Sequence, residues 1–205
     1  MIFEYGQKEI EYLKKKDKKL GAAIEQIGMI QRKIIPCPFD ALISSVVGQQ
    51  ISSKAADTVW KRIIMLIEDI TPERIGQVSI NDIQSCGISF RKAGYIKEIA
   101  EAALNKTVDF DNLHKLTDQE IINKLSALHG VGIWTAEMLL IFSLQRPDVV
   151  SFKDLAIRRG MMNLYGHKEL SKDKFESYRN RYSPYGSVAS LYLWELSHKN
   201  PKKGD

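Results

Sequence analysis

The sequence predicts an all-α fold, a compact bundle of many helices in two lobes around a cleft. Apolar residues recur at helical spacing almost throughout the 205 residues, and residues typical of helix ends stand at the borders of these stretches. No stretch alternates apolar and polar residues between hairpin turns, as a β-sheet would require. With 44% hydrophobic and 27% charged residues, the chain has the composition of a folded protein with a buried core.

Residues that commonly cap the N-terminus of a helix precede several of the predicted helices. The predicted N-caps are Asp17, Ser52, Thr71 and Thr117. Pro36 and Pro38 break the chain ahead of a buried helix that starts at Phe39, and a turn over residues 48–51 separates it from the next helix. Thr117 forms a capping box with Glu120. One face of the helix after Ser52 carries the apolar residues Ala55, Ala56, Val59, Trp60, Ile63, Leu66 and Ile67.

We expect residues 1–205 to form a single domain. Its two lobes would separate near Leu104–Asp109 or near Ser151, although composition does not fix the borders. Because the helices follow only a short lysine-rich start, we expect little or no N-terminal β-domain.

The composition narrows the classes of function. The net charge of +5 favours a polyanionic partner such as nucleic acid. Cys37 and Cys86 stand far apart, so no disulfide framework, zinc site or iron–sulfur cluster is expected. No stretch approaches the roughly 20 apolar residues of a membrane span, and we expect a cytoplasmic, nucleoid-associated protein that does not bind membranes.

The strongest local signal is the segment Leu128–Ala136, LHGVGIWTA, between two predicted helices. Gly130 and Gly132 permit a tight turn, and the first amides of the following helix lack partners inside that helix. These amides can bind a phosphate, so Gly130, Gly132 and Thr135 are the predicted phosphate contacts. The alternative is a plain corner between two helices in which glycine only ends the first.

At this point the sequence resembles a family. LHGVGIWTA is similar to the hairpin of the helix-hairpin-helix (HhH-GPD) DNA glycosylase superfamily, with the motif at about residues 117–144. The segment DLAIRRG, residues 154–160, resembles the one that carries the catalytic aspartate of that superfamily. GQQIS and YSPYGSVASLYLW resemble its DNA-wedge loop and C-terminal helix, so that the likeness runs from about Tyr5 to Trp194 and points to the 3-methyladenine DNA glycosylase II branch.

The resemblance implies roles for individual residues. Asp154 would be the catalytic carboxylate that stabilises a positively charged sugar when a base leaves, although the same residue is suited to cap a helix. Trp134, Met138 and Trp194 would line the base pocket, and some relatives carry an aromatic residue where Met138 stands. The alternative for the two tryptophans is packing in the core.

Gln49 and Gln50 would form the wedge that fills the gap left by a flipped base, the alternative being a simple turn. Relatives often bind a monovalent cation through carbonyls of the hairpin, here those of Ser126, Leu128 and Val131. Apart from such a Na⁺ or K⁺ ion, the resemblance implies no cofactor.

The function that follows is a monofunctional, monomeric glycosylase that removes alkylated purines from double-stranded DNA. Relatives that also cut the DNA backbone carry a lysine at the position of Trp134, and such a lysine is absent here. 3-Methyladenine, 7-methylguanine, hypoxanthine and ethenoadenine all remain open as substrates. A non-enzymatic DNA-binding hairpin protein and a glycosylase for other damaged bases are the alternatives.

Overall fold

A computed structural model describes residues 1–198. The described chain is helical and contains no sheet, as predicted, with an isolated antiparallel bridge between Ile2 and Lys33. A short 3₁₀ helix occupies Phe110–Lys115. The α-helices are α1 Gln7–Lys16, α2 Lys18–Ile27, α3 Pro38–Gly48, α4 Ser53–Ile67, α5 Pro72–Gln77, α6 Ile80–Ser85, α7 Phe90–Leu104, α8 Asp118–Ser126, α9 Ile133–Phe142, α10 Leu155–Tyr165, α11 Lys172–Tyr182 and α12 Gly186–Ser197.

The predicted helix starts are confirmed. The side chains of Asp17, Ser52 and Thr71 each accept a hydrogen bond from the amide three residues later. Thr117 and Glu120 form the predicted capping box. The start of α3 was placed one residue too late, because Pro38 is itself the first helical residue, a position that needs no amide donor.

The chain divides into two compact units. The terminal unit combines Met1–Ile34 with the residues from Gln145 onward, and the central unit is Ile35–Leu144. The expected lobe border near Leu104–Asp109 is therefore wrong, and the second border lies ahead of Ser151. Near the first expected border, Phe110 packs edge-on against Phe39 at 5.3 Å between ring centroids, so that this segment belongs to the core of the central unit.

Two helices cross closely in the terminal unit. A Cβ atom on Gly160 of α10 would collide with the backbone carbonyl of Leu193 on α12. Because only glycine leaves this space open, α10 and α12 pack backbone against backbone. This contact holds the middle of α10 against α12. No helix among residues 1–198 is long and apolar enough to cross a membrane.

Candidate active site

The predicted hairpin is present in the central unit between α8 and α9. Gly130 has φ +79°, in the region that favours glycine, and Gly132 is the N-cap of α9 with φ −89°. Gly132 offers no side chain to cap the helix, and the first bond inside the helix runs from the Ala136 amide to the Gly132 carbonyl. The start of α9 is therefore a backbone surface suited to an anion.

Side chains of helix α7 pack against the hairpin turn. A Cβ atom on Gly130 would lie within the ring of Tyr95, whereas one on Gly132 would meet no atom within 4 Å. The Glu98 carboxylate accepts a hydrogen bond from the His129 amide at 3.2 Å and lies 2.9 Å from the His129 Nδ1 atom. Gly130 is thus required by the fold itself, while Gly132 faces open space.

The predicted residues of α9 differ in their exposure. Trp134 is 41% exposed, so it does not pack in the core, and Met138 is half-buried. Thr135, in the first turn of α9, is only 4% exposed, so its predicted phosphate contact stays a prediction. Trp134 is therefore an exposed aromatic ring in the first turn of α9, and its role in a base pocket stays a prediction.

The carbonyls predicted to hold a cation lie at the end of α8 and in the turn that follows it. The Leu128 carbonyl accepts a hydrogen bond from the Val131 amide at 3.2 Å, which closes the turn. A carbonyl oxygen has a second lone pair, so this bond leaves Leu128 able to coordinate an ion. The oxygen donors of Ser126, Leu128 and Val131 are the type that Na⁺ and K⁺ accept, so the donor set fits the predicted ion.

The two candidate wedge residues lie in different surroundings. Gln49 ends α3, and its side-chain amide donates to the Gly130 carbonyl at 2.8 Å. Gln50 is exposed and has φ +59°. The wedge loop and the hairpin are therefore joined directly, and Gln50 carries the side chain that projects into solvent.

Sequence reasoning missed Lys92, which holds the same loop. Its ammonium group donates to the carbonyls of Val47 and Gln49 at the end of α3. Burial lowers the pKa of Lys92, as expected for an ammonium removed from water. A lysine in the first turn of a distant helix carries no sequence signal for this role.

Asp154 is the N-cap of α10 in the terminal unit. Its Oδ1 atom accepts from the Ile157 amide at 2.9 Å, and its Oδ2 atom accepts from the indole N–H of Trp194 at 3.2 Å. The side chain is 7% exposed. Both carboxylate oxygens are thus fixed by donors, and the predicted capping bond is present without excluding a catalytic role.

Serine side chains attach the segment before Asp154 to α12. The Ser187 hydroxyl accepts from the Val149 amide at 3.0 Å, and the Ser190 hydroxyl donates to the Val149 carbonyl at 2.9 Å. Asp148 accepts from the amide of Gly186 at 3.0 Å. The extended segment is thereby held on the same helix that carries Trp194, which fixes the approach to Asp154.

The predicted site residues fall into two groups. Asp154 and Trp194 lie in the terminal unit and touch each other. The central unit contains Gln49, Gln50, Ser126, Leu128, Gly130, Val131, Gly132, Trp134, Thr135 and Met138.

Comparison with known proteins extends this description. A family model described as the HhH-GPD superfamily base excision DNA repair protein matches residues 43–184. The chain is 36% identical over 168 residues to DNA-3-methyladenine glycosylase 1 of Schizosaccharomyces pombe, a match covering 78% of this chain and 72% of the relative.

Two solved structures are similar over almost their whole length. A DNA-3-methyladenine glycosidase from Bacillus halodurans has 36% sequence identity and a TM-score of 0.86, covering 97% of this chain and 93% of that one. The Schizosaccharomyces pombe 3-methyladenine DNA glycosylase in complex with abasic DNA has 30% identity and a TM-score of 0.82, with 97% and 100% covered.

Proposed function

Because the chain belongs to the HhH-GPD superfamily of base excision DNA repair proteins, we propose that it is a glycosylase of the 3-methyladenine DNA glycosylase II type. It would remove alkylated purines from double-stranded DNA by hydrolysis and leave the DNA backbone intact. The observation that carries the proposal is Asp154, a carboxylate with a fixed donor on each oxygen. Support for the substrate comes from the relatives named as 3-methyladenine glycosylases.

Asp154 would act on the sugar. When the N-glycosidic bond breaks, its electron pair leaves with the base, and the sugar acquires positive charge at C1′. A carboxylate held in place stabilises this charge without having to reorganise, and it can orient the water that adds to C1′. The Trp194 N–H would keep the carboxylate in its orientation, which makes Trp194 a positioning residue as well as a pocket residue.

The leaving base requires little further help. A purine methylated at N3 already carries positive charge, so its departure needs no strong general acid. A cationic ring is attracted to the face of an aromatic side chain, and the exposed ring of Trp134 offers such a face. The flexible Met138 would give an adaptable wall to the pocket and a broad substrate range.

The product would be an intact abasic strand. Cutting the backbone by β-elimination starts with a Schiff base between an amine and the sugar. Trp134 has no amine at the position where related lyases carry lysine, so this route is closed to it.

The central unit would hold the DNA. The backbone at the start of α9 would bind a phosphate, and Gln50 would fill the gap that the flipped base leaves. Gln49 would keep its bond to the Gly130 carbonyl and so tie the wedge loop to the hairpin. A monovalent cation held by Ser126, Leu128 and Val131 would add positive charge beside the phosphate.

The decisive experiment measures the release of free base from duplexes that each carry one defined lesion. The set comprises 3-methyladenine, 7-methylguanine, hypoxanthine and ethenoadenine, with undamaged duplex as control. The proposal expects release of at least one alkylated purine and none from undamaged DNA. Specific binding of the same duplexes without any release would favour a non-enzymatic DNA-binding protein, and release of only oxidised bases in a wider set would favour the other glycosylase class.

A further inference from the structure

A groove with positively charged walls lies in the terminal unit, and none of its lining residues takes part in the proposed reaction. It has a volume of about 420 Å³, and we call it the basic groove. Its walls come from the α1–α2 junction, the end of α10 and α11, all within the same unit. The lining residues are Lys16, Asp17, Lys18, Lys19, Tyr165, His167, Tyr178 and Arg181.

The only carboxylate in this lining is already fully bonded. Asp17 is 4% exposed, and its Oδ1 atom accepts from the Leu20 amide at 3.0 Å. Its Oδ2 atom accepts from the Tyr165 hydroxyl at 2.6 Å and from Arg181 at 3.4 Å. With three donors on a buried carboxylate, Asp17 presents little negative charge to a ligand in the groove.

The three lysines of the lining have no acidic partner. Within residues 1–198, no carboxylate lies within 4 Å of the ammonium group of Lys16, Lys18 or Lys19, whereas Lys14 nearby pairs with two glutamates. All three lysines are exposed. Four cationic side chains and one carboxylate give the lining a net charge of +3, and among residues 1–198 the lysines have no ion-pair partner that would offset it.

Aromatic rings form a stiff wall behind these charges. The rings of Tyr165 and Tyr178 stack in parallel with centroids 3.7 Å apart, and the His167 Nε2 atom lies 2.6 Å from the Tyr178 hydroxyl. Burial raises the pKa of Tyr165, so this ring stays neutral. Tyr178 is buried, so the stacked rings hold the shape of the groove, and the basic side chains along it are the groups that can contact phosphates.

We propose that the basic groove is a second DNA contact, which binds phosphodiester groups of the strand independently of sequence and damage. DNA is favoured over an acidic peptide because the chain belongs to a family of DNA repair proteins, and a related structure holds DNA. The inference does not depend on the catalytic role of Asp154, since it concerns binding to undamaged DNA.

His167 supplies a direct reporter of occupancy. Burial and the nearby charges of Lys174 and Lys19 lower its pKa below 6.5. A phosphate placed between these groups would favour the protonated imidazole, so the pKa of His167 should rise when the groove is filled.

The first test is the salt dependence of binding. Affinity for a long undamaged duplex is measured across a salt series for the wild type, for Lys16→Gln/Lys18→Gln/Lys19→Gln and for the charge-matched control Lys8→Gln/Lys61→Gln/Lys115→Gln. Each phosphate contact contributes roughly 0.9 to the slope of log affinity against log salt. The groove variant should therefore lose about 2 to 3 from the slope, and the control clearly less. Equal losses in the two variants would overturn the proposal, because general charge would then explain both.

The second test follows the His167 ring by NMR during titration with duplex DNA, with inorganic phosphate and with an acidic peptide. The proposal expects DNA to raise the pKa of His167 in the wild type, and the groove variant to lose this response. A response to free phosphate or to the peptide but not to DNA would assign the groove to another ligand and overturn the proposal. Base release from a short lesion duplex, measured in parallel, shows whether the catalytic assignment stands or fails separately.

Discussion

Replacement of Asp154 by asparagine tests the centre of the proposed reaction. The carboxylate holds one donor on each oxygen, the Ile157 amide at 2.9 Å and the Trp194 indole at 3.2 Å. Asparagine has a single side-chain oxygen, so it can keep the capping bond but turns an N–H group toward the indole N–H. The substitution thus removes the charge and leaves two donors facing each other.

The magnitudes follow from this geometry. Loss of one preorganised electrostatic group costs about 100-fold or more in rate, which corresponds to about 2.7 kcal/mol of transition-state stabilisation. The donor left without an acceptor lowers the free energy of unfolding by about 1–3 kcal/mol. Binding to abasic duplex should change little, because Asp154 makes none of the proposed phosphate contacts.

The assay is single-turnover release of the alkylated base, with thermal unfolding and duplex affinity measured on the same preparations. Asp154→Ser is the matched control for the fold, because serine is a good N-cap and carries no charge. Both variants should lose base release to a similar extent. If Asp154→Asn folds and releases base at nearly the wild-type rate, the catalytic assignment is wrong.

Four further predictions concern the tryptophans and the hairpin. Reduction with borohydride during turnover should trap no covalent protein–DNA adduct, since Trp134 has no amine; a trapped adduct would reveal another nucleophile. Trp194→Phe should lower the rate of base release about tenfold by removing one charge-assisted hydrogen bond, whereas the matched Trp60→Phe should not, and equal rates in the two variants would contradict the positioning role. Gly132→Ala should fold normally, because its new methyl group meets no protein atom. It should bind undamaged duplex about tenfold more weakly, because the methyl group would obstruct the approach of a phosphate to the backbone. Gly130→Ala should instead lower the free energy of unfolding by roughly 1–3 kcal/mol through its positive φ and Tyr95; wild-type affinity in Gly132→Ala would reduce the hairpin to a structural corner.

Features governed by neighbouring residues could be predicted from the sequence. The caps at Asp17, Ser52, Thr71 and Thr117 depend on one side chain and an amide three residues away, so composition at the helix start is sufficient. The capping bond of Asp154 to the Ile157 amide is confirmed for the same reason, whereas its catalytic role stays a prediction drawn from the contiguous segment DLAIRRG.

Features that depend on packing between distant segments could not be predicted. The hydrogen bond between Trp194 and Asp154 joins residues 40 positions apart. The sequence around Trp194 predicts a helix but not the direction in which the indole N–H points. Lys92 is indistinguishable in sequence from any exposed lysine. The predicted lobe borders were wrong for the same reason. The terminal unit combines both ends of the described chain, and no linker-like composition marks where the chain passes from one unit to the other.

The hydrogen bond from Gln49 to the Gly130 carbonyl has a consequence for how the protein examines DNA. Because Lys92 fixes the same loop to α7, the hairpin backbone and the exposed Gln50 keep a constant spacing. If the start of α9 binds a phosphate and Gln50 is the wedge, as proposed, the position of the bound phosphate would determine which nucleotide Gln50 probes. We expect inspection to advance by whole nucleotides, with the rigid spacing, and not the base sequence, deciding which base is tested.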